Sequence, residues 1–441
     1  MIGRAAAGAT GFIHELRWDD VPAEVAGRVS LLLADLAAVC VAGRPAPASL
    51  MAADHAAAVY PGDEAVALLD GRRTGAVGAA WANGVLANVL DMDDGHRLTK
   101  GHPGAVVIPA ALAAAQLADA GAEELALAVL VGYEIAVRAG VALHGRDPSY
   151  HASGAWGSLG AAAAAARLLS LDAAQTGHAL GLAEYHAPIA PIMRSVAEPQ
   201  MTKDACAWGA ALGVESALLA ARGFTSLRPE YLDAADGDLG SSWRVSELYV
   251  KAYPCCRWTQ GAIRAATEAT GGRPLAPDEV DAVTIRTFAA ADALARVVPT
   301  TTEEAQYSLV WPVATVLARG GFTVSDVLGP WDEPQLEALA DKTEVVVDPD
   351  MTAAFPERRL TAVEVRLRGG ERLAAGPLEA RGEPGDPGWD SVVRDKVTAL
   401  VDPGRDLAGE PPAAGSVRSW TERELLGFAC RAVWDATPGR G

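Results

Sequence analysis

Basic residues are scarce in this 441-residue chain, where 37 lysines and arginines stand against 56 aspartates and glutamates for a net charge of −19. No cluster of Lys and Arg reverses that balance locally, which argues against nucleic acid and against an anionic membrane surface as partners. An anionic substrate would have to be drawn in by a few well-placed cations. Cysteine is also sparse: Cys40, Cys206, Cys255, Cys256 and Cys430 are odd in number and lack C-x2-C spacing. This excludes a disulfide framework and predicts free thiols in a reducing cytoplasm. Adjacent Cys255 and Cys256 are also poorly spaced for an iron–sulfur cluster. The opening stretch "MIGRAAAGATGFIHELRWDD" has no apolar region of signal-peptide quality. The longest apolar run, "AVVIPAALAAAQLA", contains a proline and falls short of the roughly 20 residues a bilayer span takes. Histidine is absent beyond His186, so any imidazole chemistry belongs to the first half of the chain.

What the chain has in quantity is alanine in helical phrasing. From about Val21 to Gly223, segments such as "EVAGRVSLLLADLAAVCVAG", "AEELALAVLVGYEIAVRAGVAL" and "SLGAAAAAARLLSL" are apolar nearly all round, the pattern of helices buried inside a large bundle. Asp172 is placed as an N-cap and Gly43 as a helix stop. After about residue 250 the pattern changes to β-branched alternation in "DEVDAVTIRTF", "TEVVVDPDM" and "TAVEVRLRGGERLAA", with "RGGE" as a hairpin turn. Helical phrasing returns in "DSVVRDKVTALV" and "TERELLGFACRAVWDA", separated by the loop-like "DPGRDLAGEPPAAGS". The length favours two domains. The expected fold is mostly α: a large all-helical domain over residues 1–250, completed by 390–441, and a smaller α+β lid domain over 251–389.

Four segments carry groups able to do chemistry. "VLDMDDGHRLTKGHPGA" brings Asp91, Asp93, Asp94, His96 and His102 within a dozen positions. It admits a metal site, a solvated acidic loop, or a proton-transfer site in which a carboxylate orients a near-neutral histidine. The glycines make it a loop, with no helix to fix an i,i+4 ligand pair. "SYHASGAWGSLGAAAAAA" sets His151 before a glycine-rich helix start, where free N–H groups favour an anion; a capped surface histidine is the plainer reading. In "AEPQMTKDACAWGAALG" Lys203 stands near an apolar helix, a position common for snorkelling lysines. "YVKAYPCCRWTQ" places Lys251 and Arg257 around a Tyr-Pro turn at the domain junction, where clefts commonly lie.

In this order, the four segments resemble the MmgE/PrpD family, which contains 2-methylcitrate dehydratase, cis-aconitate decarboxylase and iminodisuccinate epimerase. "NGVLANVLDMDDGH…GHPGAVVIPAALA" is similar to the family's signature, and "GYEIAVRAG", "HASGAWGSLGAAAAAARLL", "ALLAARGFTS", "KAYPCCRWTQ" and "EEAQYSLVWPVATVLARGGFT" match further blocks. The resemblance implies a helical domain closed by an α+β lid, a homodimer, and neither metal nor organic cofactor. It also implies a cleft in which Asp91, His102 and His151 serve proton transfer while Lys203 and Lys251 bind substrate carboxylates, with Asp94 beside Asp91. Such a set suits removal of a proton next to a carboxylate, because positioned cations stabilise the second negative charge that builds up.

The chain departs from the decarboxylase-type pattern at Gly95, where threonine is expected, at Cys256 and Gln260, where histidines are expected, and at Trp311, where tyrosine is expected. His96, Arg257 and Tyr307 are local substitutes for the missing groups. A thiol at Cys256 would be reactive if Arg257 lowered its pKa, whereas a packed free cysteine is the plainer reading. The leading expectation is a cofactor-independent cytoplasmic lyase that dehydrates a small hydroxylated di- or tricarboxylate. Decarboxylation or epimerisation of a related acid is the alternative within the enzyme class, and a non-catalytic binding or assembly member is the alternative outside it.

Overall fold

In a computed structural model describing residues 4–68, 70–233, 237–294, 298–407 and 417–434, the alanine-rich segments form the expected helices. Helices Ala76–Asn88, Gly104–Leu117, Ala122–Arg146, Gly154–Leu168 and Cys206–Ala221 pack on one another. Small residues decide how close they come. A Cβ on Gly160 would lie 2.3 Å from the Gly132 carbonyl oxygen of the neighbouring helix, so any side chain there would force the two apart. Asp172 caps the helix Ala173–Tyr185 as predicted, accepting from Gln175 N at 2.8 Å. Gly43 is the last residue of the helix Ala23–Gly43, and its expected role as a backbone stop is not what requires glycine. A Cβ there would sit 2.5 Å from Val89 Cγ1.

The later segments form a four-stranded sheet in the order Thr343–Val347, Val280–Thr287, Thr361–Leu367, Arg372–Leu378. The first pairing is parallel and the other two are antiparallel, with Ile285 opposite Val363 and "RGGE" in the hairpin turn. Alternation along Val280–Thr287 buries Val280, Val283, Ile285 and Thr287, and helix Arg257–Thr270 packs against the sheet. A second apolar core forms here, centred on Trp258 and on Phe288 stacked against Phe355 at 4.6 Å. The chain then returns to the helical layer. Helices Trp389–Leu400 and Glu422–Trp434 pack on Ala23–Gly43 and add Trp389 and Leu425 to the first core. The loop between them falls partly outside the described residues, at 408–416.

One expectation changes. Helices Ala23–Gly43 and Ala122–Arg146 are each long and apolar enough to cross a membrane, although no uninterrupted apolar run in the sequence suggested it. In the fold, 72% and 89% of their most apolar windows are buried inside the protein. Both also carry buried charges with partners: Asp35 lies 2.6 Å from Lys396 Nζ, and Glu134 pairs with Arg138. They are core helices of the bundle.

Candidate active site

The end of the helix Ala76–Asn88 and the loop after it run their carbonyls into a ring of buried side chains. Asn88 O accepts from Lys203 Nζ at 2.6 Å, Val89 O from Gln306 Nε2 at 2.9 Å, Asp91 O from Lys251 Nζ at 2.9 Å, and Met92 O from Lys396 Nζ at 2.8 Å. Three ammonium groups from distant parts of the chain thus hold this segment, Lys203 at the negative end of the helix dipole and Lys251 and Lys396 on the loop that follows. Asp91 itself adopts a left-handed conformation, φ 49°, which a non-glycine residue holds only when its surroundings fix it. Residues 89–96 are all buried. The solvated-loop reading therefore fails, and its hydrophilic composition is explained by internal pairing.

The loop delivers carboxylates to His102. Asp93 Oδ2 lies 2.9 Å from His102 Nδ1, while Asn88 Nδ2 donates to Asp93 Oδ1 at 3.1 Å. His102 Nε2 lies 3.6 Å from Asp91 Oδ1 and 3.7 Å from Asp204 Oδ2, and Tyr307 Oη lies 3.4 Å from Asp204 Oδ2. Asp91 Oδ1 accepts from Lys251 Nζ at 2.6 Å. The carboxylate that orients His102 is thus Asp93, and Asp91 is held by Lys251. Burial disfavours charge on Asp93, yet His102 and Lys251 hold its carboxyl well below the usual range. Burial and Lys251 also oppose a proton on His102, but Asp93 and Asp204 outweigh them and raise its pKa. Burial raises the pKa of Asp204 despite His102 beside it. For Lys251, burial is outweighed by Asp91 and Asp93, so the ammonium is strongly retained.

His102, Asp91, Asp204, Lys251 and Tyr307 line a cavity of about 60 Å³ at the junction of the two layers, with Asp93 behind His102. Asp91, His102, Lys251, Cys256, Arg257 and Tyr307 reach it as the sequence suggested. Four expected residues do not line it. Lys203 is engaged by Asn88 O and by Gln306 Oε1 at 2.6 Å, and it borders a separate, larger cavity of about 470 Å³ walled by Met51, His55, Trp81 and Trp208. That larger space is mostly apolar, and among the described residues no carboxylate lines it. His151 turns to Asp147, 3.2 Å from its Nε2, and stacks obliquely on His144. Asp94 accepts from Gly104 N at 3.0 Å and from Tyr133 Oη, satisfying a free donor at the start of helix Gly104–Leu117; burial pushes its carboxyl up to about 7. His96 pairs with Glu247 at 3.1 Å in a short antiparallel bridge opposite Leu248, which aligns Tyr249 and Lys251 with the cleft.

Cys256 and Arg257 line the cavity without the chemistry suggested for them. Burial pushes the Cys256 thiol up to about 12. Arg257 is engaged by Glu383 at 2.9 Å and by the carbonyls of Val250 and Arg381, each at 2.9 Å. Gln260 holds Ala252 N, Tyr253 O and Cys255 O, and Trp311 Nε1 donates to Asp326 O. Sequence reasoning overlooked Asp204, Lys100, Tyr249 and Arg359, all of which line the cavity. Asp204 was signalled only by adjacency to Lys203. Nothing local marked Arg359 in "PERRL".

Asp91, Asp93 and His102 also bring ligand atoms within 4.8 Å of one another, as a metal site would. Part of that set is already engaged: His102 Nδ1 lies 2.9 Å from Asp93 Oδ2, and the Lys251 ammonium lies 2.6 Å from Asp91 Oδ1 and 3.3 Å from His102 Nδ1. A positive charge thus already stands beside these carboxylates, in the Lys251 ammonium.

Comparison with known proteins agrees with this architecture. The MmgE/PrpD N-terminal domain matches residues 9–241, and the MmgE/PrpD C-terminal domain matches residues 253–409. The chain belongs to the MmgE/PrpD family. Among curated relatives, this MmgE/PrpD protein is 28% identical to a cis-aconitate decarboxylase-like protein of Aspergillus oryzae, over 60% of this chain and 61% of the relative. It is 26% identical to the cis-aconitate decarboxylase of Aspergillus terreus over 59% of each chain. The human cis-aconitate decarboxylase is 27% identical over 63% of each chain. The chain thus spans about three fifths of the length of the curated relatives it matches.

Proposed function

We propose that this MmgE/PrpD protein is a cofactor-independent lyase that moves a proton at a carbon next to a carboxylate in a small di- or tricarboxylic acid. The observation that carries this reading is the buried pair of His102 Nε2 and Asp204 Oδ2, 3.7 Å apart in the cleft. Both have raised pKa values, so one site offers an imidazole base and a carboxyl able to carry a proton. His102, oriented through Nδ1 by Asp93, takes the proton from carbon. Asp204, touching Tyr307 Oη, returns one to the departing oxygen. Loss of a β-hydroxyl needs such an acid, and dehydration is therefore the leading reaction. Lys251 keeps its charge beside the developing carbanion-like intermediate and stabilises it electrostatically.

The names of the relatives favour a second reading, decarboxylation of a related unsaturated acid. There the same proton carrier would protonate the carbon from which CO2 departs. Proton NMR of the purified protein with a panel of hydroxy and unsaturated di- and tricarboxylates in D2O distinguishes them. Water loss identifies dehydration, CO2 loss identifies decarboxylation, and inversion identifies epimerisation. C–H exchange that persists in His102→Ala would remove His102 from its role. No exchange or turnover with any of the acids would leave the binding-protein reading in its place.

A further inference from the structure

Four cations besides His102 line the cleft: Lys100, Lys251, Arg257 and Arg359. Three of them are engaged by the protein. Lys251 holds Asp91, Arg257 holds Glu383 and two carbonyls, and Lys100 donates to Pro148 O at 2.8 Å while lying 4.3 Å above the Tyr150 ring. Arg359 differs. Its residue is 8% exposed, and its guanidinium makes no hydrogen bond or ion pair among the described residues; Nε is fully buried without a partner. Only its backbone is tied down, by Glu379 Oε1 at 3.4 Å. Its side-chain contact in the cleft is the Tyr249 ring, 5.4 Å from Cζ, which Arg257 also covers at 4.6 Å.

A fully buried Nε–H without an acceptor is costly unless something fills the place of water, and the Nη donors beside it are free to take the same ligand. Its planar fork matches a carboxylate in two parallel hydrogen bonds. Arg359 also precedes strand Thr361–Leu367 in the sheet layer, whereas His102 belongs to the helical layer, so an acid reaching both would bridge the cleft. We propose that Arg359 is the substrate-binding residue that receives a carboxylate, and that the substrate is an acid with one carboxylate on Arg359 and its reacting carbon at His102.

This inference rests on the carboxylic-acid reading above, and direct binding separates the two. Succinate serves as an unreactive dicarboxylate probe and succinamide as its uncharged counterpart, with isothermal titration calorimetry as readout. Wild type is expected to bind succinate and to bind succinamide far more weakly. Arg359→Gln should weaken succinate about 10²-fold, the scale of losing charge-assisted hydrogen bonds. Arg359→Lys should recover part of that loss, since it restores charge without the fork. Succinamide affinity should be the same in all three proteins. Undiminished succinate binding in Arg359→Gln overturns the role of Arg359 and leaves the carboxylic-acid reading standing. Failure of wild type to bind succinate, citrate or tricarballylate overturns both. Where the variant does not fold, phenylglyoxal labelling of wild type followed by peptide mapping decides the matter. Succinate, but not succinamide, should protect Arg359, and equal labelling with either would overturn the proposal.

Discussion

Asp93 Oδ2 lies 2.9 Å from His102 Nδ1, and the aspartate is completely buried. This fixes which ring nitrogen faces the cleft: Nδ1 is turned to the carboxylate, leaving Nε2 beside Asp91 and Asp204. It also sets the pH response. A base must be unprotonated, and His102 has a raised pKa, so activity should rise with pH through a value above the ordinary 6.5. Asp93→Asn removes a charge that favours imidazolium. The acid limb of the kcat/KM profile should then move to lower pH, while the plateau falls by on the order of 10²-fold as the ring loses its orientation. An acid limb that does not move would show that His102 is not the group titrating.

Lys396 bears on the same loop from behind. Its Nζ lies 2.6 Å from Asp35 Oδ1 and 2.8 Å from Met92 O, tying the C-terminal helix Trp389–Leu400 to the segment that carries Asp91 and Asp93. Lys396→Met strands a buried carboxyl and frees a carbonyl, and should cost about 3–5 kcal/mol. Replacing both partners, as Asp35→Leu with Lys396→Met, should recover most of that stability, because apolar substitutes for buried ion pairs are often tolerated. Activity should remain low in the double variant, since Met92 O still lacks its donor. Denaturant titration with steady-state rates on the wild type and the two variants checks both halves.

Much of the fold was legible in the sequence because helical phrasing and β-branched alternation are local patterns, and the return of the chain to the helical layer followed from the same phrasing. The site was legible only in part. Asp91, His102 and Lys251 converge as their segments suggested. Lys203 and His151 do not line the cavity, because sequence shows that a residue is polar and not which neighbour satisfies it. Lys203 is engaged by Asn88 O and Gln306 Oε1, 115 and 103 positions away. Arg359 was illegible for the converse reason: its importance lies in lacking a partner, which only packing reveals.

Cys256 lines the cavity, and a cysteine beside an arginine suggests a reactive thiol. Burial instead pushes its pKa up to about 12, so almost none is thiolate near neutrality. Native protein at pH 8 should leave Cys256 unalkylated by iodoacetamide, as followed by mass spectrometry of tryptic peptides. Cys256→Ala should keep kcat within about threefold of wild type, the scale expected for a packing residue away from bond-making. Rapid alkylation, or a loss of orders of magnitude in kcat, would restore the thiol to the mechanism.

Gly95 marks where the chain leaves the decarboxylase-type pattern, and its neighbour explains why glycine is required. A Cβ at Gly95 would lie 2.3 Å from Tyr249 Oη and 2.4 Å from Cζ. Tyr249 is 4% exposed and its ring lies under both Arg257 and Arg359, so it cannot withdraw without disturbing two guanidinium groups. Gly95→Ala should therefore destabilise the protein by about 1–3 kcal/mol through overpacking. It should also raise KM more than it lowers kcat, because the ring it displaces supports Arg359. Adding Tyr249→Leu removes the obstructing ring, so the double variant should regain stability relative to Gly95→Ala. The two changes are then non-additive, as expected for residues in direct contact. KM should stay high in the double variant, since the aromatic surface beneath the guanidinium groups is gone. Additive destabilisation in the double-mutant cycle would show that Gly95 is required for some reason other than the room Tyr249 takes.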